Sequence, residues 1–69
     1  MTSHPELEVD ARGLRCPWPA LRLARAFREG ARRVRLRADD PVAPAEIAAL
    51  AAERGWALSR DGEDFLVEE

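Results

Sequence analysis

Apolar residues recur along this chain with two different periods, and the switches between them divide it into elements. Leu7-Glu8-Val9-Asp10-Ala11 alternates apolar and polar side chains, which predicts a half-buried strand. Arg12-Gly13-Leu14-Arg15 follows as a connecting loop, with a glycine free to take positive φ. From Pro17 to Glu29 the spacing turns helical. Ala20, Leu23, Ala24 and Phe27 share one stripe, and Arg22, Arg25, Arg28 and Glu29 fall largely outside it. Gly30 is placed to end that helix. Arg33 to Ala38 alternates again, Val34, Leu36 and Ala38 against Arg33, Arg35 and Arg37, as in a strand with one wet face. Asp39-Asp40-Pro41 interrupts it. A second helix is predicted from Pro44, at the first helical position, to Arg54, with Ile47, Leu50 and Ala51 buried and Gly55 as its stop. Trp56 to Ser59 and Asp64 to Val67 form two further strands around Asp61-Gly62, a pair that type I′ hairpins favour. A two-residue turn there pairs Arg60 with Glu63, Leu58 with Phe65 and Trp56 with Val67, and sets the apolar pairs on the face toward the helices.

The element order is β-α-β-α-β-β. It predicts an α/β protein of the α+β two-layer sandwich kind: a mixed four-stranded sheet carrying two helices on one face. A right-handed crossover makes the first two strands parallel. Sixty-nine residues make one domain, 1–69, with an ordered core of 7–68. Residues 1–5 are expected to be a frayed tail and His4 to be inert.

Composition narrows the function classes. One cysteine cannot close an internal disulfide, which favours the cytoplasm over a secreted scaffold. No apolar run approaches the ~18 residues of a membrane span, and Met1-Thr2-Ser3-His4-Pro5 lacks the basic and apolar regions of a signal peptide. A net charge of -2 argues against a dedicated nucleic-acid binder. All eleven basic residues are arginine, so lysine Schiff-base chemistry is excluded. A monomer with no cofactor and no metal is expected.

The candidate chemistry sits in Leu14-Arg15-Cys16-Pro17-Trp18-Pro19. A lone cysteine is often a small buried hydrophobe. Placed before Pro-x-Pro where a strand turns into a helix, it is instead expected at the surface. Pro17 drives the residue before it into extended backbone, as an N-cap requires. Cys16 is thus the expected N-cap, Pro17 the first helical residue and Pro19 the third. The positive helix end, with Arg15 and Arg12, then favours thiolate. A dithiol redox motif fails because Pro19 stands where the second cysteine belongs. A cysteine protease lacks its paired histidine, and one Cys with one His does not make a zinc site. A solitary thiolate can still attack the outer sulfur of a persulfide and keep it. A second cysteine nearby would expel that sulfur as sulfide.

The run Asp10-Ala11-Arg12-Gly13-Leu14-Arg15-Cys16-Pro17-Trp18-Pro19 resembles the signature of the TusA family of sulfur carriers, also called SirA-like: an aspartate, a glycine, then Cys-Pro-x-Pro opening the first helix. Ala38-Asp39-Asp40-Pro41 before a helix is also similar to this family, and the likeness spans residues 7 to 68. The resemblance implies a sandwich similar to the C-terminal domain of bacterial translation initiation factor three. It implies a persulfide on Cys16, with Asp10, Gly13, Pro17 and Pro19 supporting the motif. The sulfur donor would be a cysteine desulfurase or a rhodanese and the acceptor often a DsrE-type carrier. The sulfur would serve tRNA thiolation, molybdenum cofactor maturation or oxidation of inorganic sulfur. Trp18 fills a position that is often acidic or aliphatic in the family.

Several residues carry two readings each. Trp18 is either an exposed docking anchor or a ring folded back on the scaffold. Arg12, Arg15 and Arg22 either meet an acidic partner or form a solvated edge. Arg33, Arg35 and Arg37 are expected to pair with Glu8 and Asp10 rather than to bind RNA, since no aromatic interrupts them. Asp10 is expected either to orient the Gly13 loop or to be a plain turn residue. Asp39 and Asp40 are expected to be a turn and cap rather than a cation site. The rivals to a sulfur carrier are a non-catalytic interaction or regulatory module and, third, an RNA-binding domain.

Overall fold

The computed structural model describes residues 6–69, so the expectations for residues 1–5 and His4 lie outside the described residues. Six elements follow in the predicted order: β1 (Leu7–Asp10), α1 (Trp18–Arg28), β2 (Arg33–Arg37), α2 (Ala43–Arg54), β3 (Ala57–Asp61) and β4 (Asp64–Glu68). The sheet order is β1-β2-β4-β3. β1 and β2 are parallel, and β4 is antiparallel to both its neighbours, so the sheet is mixed and open.

Both helices cover the same face. Val34, Leu36, Phe65 and Val67 project from the two central strands into one cluster with Leu23, Ala26 and Phe27 of α1 and Ala43 and Ile47 of α2. Each large apolar side chain removed from water here contributes about 1.5–3 kcal/mol before entropy is counted. The α1 stripe is Pro19, Ala20, Leu23, Ala26 and Phe27; Ala26 takes the buried place expected of Ala24, which is half-buried. Gly30 and Ala31 N–H groups return to Phe27 and Ala26 carbonyls, closing the helix end in a Schellman motif.

The hairpin departs from expectation. Asp61 pairs with Asp64, Arg60 with Phe65 and Leu58 with Val67, so the turn residues are Gly62-Glu63 and not Asp61-Gly62. A type I′ turn would need positive φ at Asp61, and only glycines adopt positive φ among the described residues. Centring the turn one residue later puts Gly62, at φ 61°, in the single left-handed position. The shift moves each partner by two residues, so the faces are preserved. Trp56 falls before β3 rather than in it, and stacks on Phe27 with ring centroids 4.2 Å apart. α2 starts one residue early, at Ala43, leaving Pro44 second.

The open face carries the arginine stripe. Arg35 donates to Glu6 at 2.9 Å, Asp64 at 2.9 Å and Asp61 at 3.0 Å. Arg37 lies 3.6 Å from Asp64 and Arg33 3.9 Å from Glu68. The stripe is therefore paired, though not with Glu8 and Asp10. Asp10 has a nearer partner in Arg12, two residues on.

Candidate functional site

The segment that leads from β1 into the first turn of α1 is fixed at three apolar points, and Cys16 is exposed between them. Ala11 is buried, and its N–H extends the parallel ladder to the Arg37 carbonyl at 2.7 Å. Leu14 packs on the core, and its N–H returns to the Ala11 carbonyl. Pro19 is fully buried. Cys16 lies between Leu14 and Pro19, exposed and unbridged. The second proline of Cys-Pro-Trp-Pro is thus a core residue, while Pro17 is exposed.

Cys16 is not the N-cap. α1 begins at Trp18 with Pro17 in the cap position and Pro19 second, which leaves Cys16 one residue outside the helix. The Cys16–Pro17 peptide is cis. A turn precedes the helix, in which Trp18 N–H donates to the Arg15 carbonyl at 2.8 Å. That donor is therefore engaged and does not face the thiol.

Two carboxylates from the loop after β2 hold this segment across the fold. Asp39 Oδ1 accepts the Gly13 N–H at 2.8 Å, with Gly13 at φ 84°, a backbone shape that few other residues take. Asp40 Oδ2 accepts the Cys16 N–H at 2.6 Å. Asp40 Oδ1 takes the Val42 N–H, and its carbonyl takes that of Ala43, so one residue ties Cys16 to the start of α2. These bonds explain Asp-Asp-Pro better than a cation does; among the described residues no cluster of three potential ligands occurs. The sequence held a usable signal. Adjacent parallel strands end on the same edge of the sheet, so the loops after β1 and β2 must meet.

The electrostatics at the thiol oppose the expected direction. The Cys16 thiol is pushed above its ordinary value of 9.0. Surrounding protein first disfavours the charged form by desolvation. The negative charge of Glu46 then favours the protonated thiol, and Asp40 adds further repulsion. Neither Arg12 nor Arg15 acts on it. Arg12 is held by Asp10, which accepts its N–H at 3.1 Å and its guanidinium twice at 2.9 Å. That pairing, with help from Arg37, holds the Asp10 carboxyl far below the usual carboxylate range. Within the loop Asp10 accepts the Arg12 backbone N–H, while the Gly13 N–H goes to Asp39.

Arg15 lines a shallow depression beside Cys16 with Gly13, Leu14, Asp39, Asp40 and Pro41. Arg22 lies elsewhere, in a groove between α1 and the edge strand β1. Trp18 is 57% exposed, which overturns the reading in which it folds onto the scaffold. Leu21 and Val42 are likewise exposed large apolar residues. The fold thus brings Asp39 and Asp40 to the Gly13–Cys16 segment and beside Arg15, and leaves Arg22 apart. Glu46 lies in the first turn of α2, where an acid suits the positive helix end, and carries no other signal in the sequence.

No helix among the described residues is long and apolar enough to cross a membrane. A search of curated proteins gives no match. The family model described as Sulfurtransferase TusA matches residues 7–67, from the first strand through the last, and the chain belongs to that family.

Proposed function

We propose that the protein accepts sulfane sulfur as a persulfide on Cys16 and relays it to an acceptor protein. One observation carries this reading: the single cysteine of a TusA-family chain is exposed on a loop pinned by Leu14, Pro19, Asp39 and Asp40. A pinned, exposed thiol can enter a partner's active site without unfolding anything. With no second thiol in the chain, the bound sulfur has no intramolecular route out as sulfide.

The reaction balances without an external oxidant. The Cys16 thiolate attacks the outer sulfur of the donor persulfide. The donor's S–S bond breaks, a new S–S bond forms on Cys16, and the donor cysteine departs as thiolate. A cysteine desulfurase or a rhodanese supplies such a persulfide, and a DsrE-type carrier is a suitable acceptor. Trp18 is the docking anchor in this account, with Arg15 beside it. Pro17 and Pro19 shape the turn, and Gly13 and Asp10 set the loop behind it.

The test is intact mass after incubating reduced protein with a rhodanese and thiosulfate, or with a cysteine desulfurase and cysteine. Gain of one sulfur atom, lost on reduction and absent from Cys16→Ser, supports the carrier; no gain with either donor removes it.

A further inference from the structure

β1 is an edge strand. β2 pairs with it on the inner side, and among the described residues no strand lies on the outer one. One bond fixes which way its backbone groups point: Ala11 N–H donates to the Arg37 carbonyl, at the end of β2. In extended chain the N–H and C=O of one residue point to the same side, and those of the next residue to the other. Val9 therefore faces β2 as Ala11 does, and Glu8 and Asp10 turn two N–H and two C=O groups outward. Among the described residues no backbone hydrogen bond outside the sheet ladders reaches these four groups. Leu7-Glu8-Val9-Asp10 also contains neither the lysine nor the proline that commonly blunts an edge.

The two faces of this edge differ. On the helix side a groove runs between β1 and α1, lined by Leu7, Val9 and Ala26 and bordered by Arg22 and the paired Arg25 and Glu29. Leu7 is 46% exposed there, although its register partner Val34 is in the core. On the open side Glu8 stands opposite Arg35, but Arg35 is engaged by Glu6, Asp61 and Asp64. Asp10 is engaged by Arg12. Among the described residues Glu8 forms no ion pair, so it is the uncompensated acid of the edge.

We propose that the β1 edge and its groove bind an extended segment of another protein as an added strand, with apolar side chains toward Leu7 and Val9 and lysine or arginine on the face of Glu8. The outward N–H and C=O groups match a partner backbone, the groove matches alternate apolar side chains, and Glu8 matches a cation. The same charges exclude a second copy of this chain. With apolar faces matched, the registers centred on Glu8 or on Val9 set Glu8 opposite Glu8 or Asp10 of the other copy, and like charges directly opposite destabilise a pair. This contact goes beyond sulfur carriage and does not depend on it.

Two peptides of opposite charge serve as probes: acetyl-Lys-Val-Lys-Val-Lys-Val-amide and acetyl-Glu-Val-Glu-Val-Glu-Val-amide. Each is titrated into isotope-labelled protein and read by NMR. The basic peptide is expected to shift the amides of Leu7 to Asp10 and to slow hydrogen exchange at Glu8 and Asp10, whose N–H groups exchange faster than that of Val9 in the free protein. The acidic peptide should bind about tenfold more weakly, and salt should narrow the difference. Glu8→Lys should reverse the order of the two peptides. Glu8→Pro removes an outward N–H and no ladder bond, a change that edge strands tolerate. It should weaken the basic peptide more than Glu8→Gln, which removes the charge alone. Shifts that do not centre on β1, equal binding of the two peptides, or an unchanged order in Glu8→Lys would overturn the proposal. A wild-type dimer joined at β1 would overturn it as well. No readout uses a sulfur donor, so the outcome is separate from that of sulfur loading.

Discussion

At the scale of single residues, the site is held by hydrogen bonds that arrive from far along the chain. Asp40 is the clearest case, since its carboxylate meets Cys16 N–H across 24 positions of sequence. Asp40→Ala should lower stability by about 1–2 kcal/mol, because it removes a charge-assisted bond and a helix-start contact together. Asp40→Asn should lose less, as one oxygen remains for the Cys16 N–H. Thermal unfolding of the two variants checks the order. Trp18 tests the opposite condition, exposure without structural duty. Trp18→Ala should leave stability within about 0.5 kcal/mol of wild type. If Trp18 is the docking anchor, the same change should cost about 2 kcal/mol of transition-state binding to the donor, roughly 30-fold in kcat/KM for sulfur loading. Unchanged loading would demote Trp18 to a bystander.

At the scale of elements, the hydrophobic periods carried most of the information. Val34-Leu36 and Phe65-Val67 alternate strictly, and they are the strand residues that fill the core. Leu23 and Phe27 stand four apart and face it. Alternation tells a strand which face is buried, but it is blind to shifts of two residues, so the hairpin register was decided by backbone chemistry instead. Gly62 alone carries the left-handed turn position. Nothing crowds a Cβ there, so the penalty for Gly62→Ala is purely conformational, about 1–2 kcal/mol. At roughly 4–8 °C per kcal/mol in a domain this size, a calorimetric melt resolves it. Gly62→Asn should lose less. The site was legible at Cys16, whose setting before Pro-x-Pro pointed to the surface. Its electrostatics were not. Arg15 and Arg12 are neighbours in sequence, whereas the acids that raise the thiol come from the loop after β2 and the first turn of α2. Local sequence shows the first pair and topology decides in favour of the second. Pro19 was similarly half-legible: tolerable near a helix start, but also a filled core position, which only packing reveals.

At the scale of the whole molecule, stability is small and its polar share is concentrated on the open sheet face. A chain of this length is stable by about 3–10 kcal/mol, so the loss of one contact matters. Arg35 joins Glu6, just before β1, with Asp61 at the end of β3 and Asp64 at the start of β4, and this holds the Asp64 carboxyl below its ordinary value of 3.8. A carboxyl lowered in the folded state stabilises fully above its unfolded value and loses that contribution as pH falls through the folded one. Unfolding stability should therefore decline as pH drops below about 4. Arg35→Met should lower stability at neutral pH and flatten that acid limb; an acid limb as steep as wild type would assign the loss to other carboxylates. The site owes nothing to this network: Cys16 is exposed, and Asp40 is spent on backbone N–H groups rather than on an arginine.

The central claim is that sulfur resides on Cys16 and nowhere else. Its most direct measurement loads the reduced protein with isotopically labelled sulfane sulfur from a rhodanese, removes the donor, and maps the protein after trypsin cleavage. Cleavage after Arg15 and Arg22 releases Cys16-Pro17-Trp18-Pro19-Ala20-Leu21-Arg22, which contains the only thiol. The account predicts one labelled sulfur on Cys16 in that peptide, removable by reductant and absent from Cys16→Ser. Unlabelled Cys16 in a folded protein, or label that persists in Cys16→Ser, would contradict it.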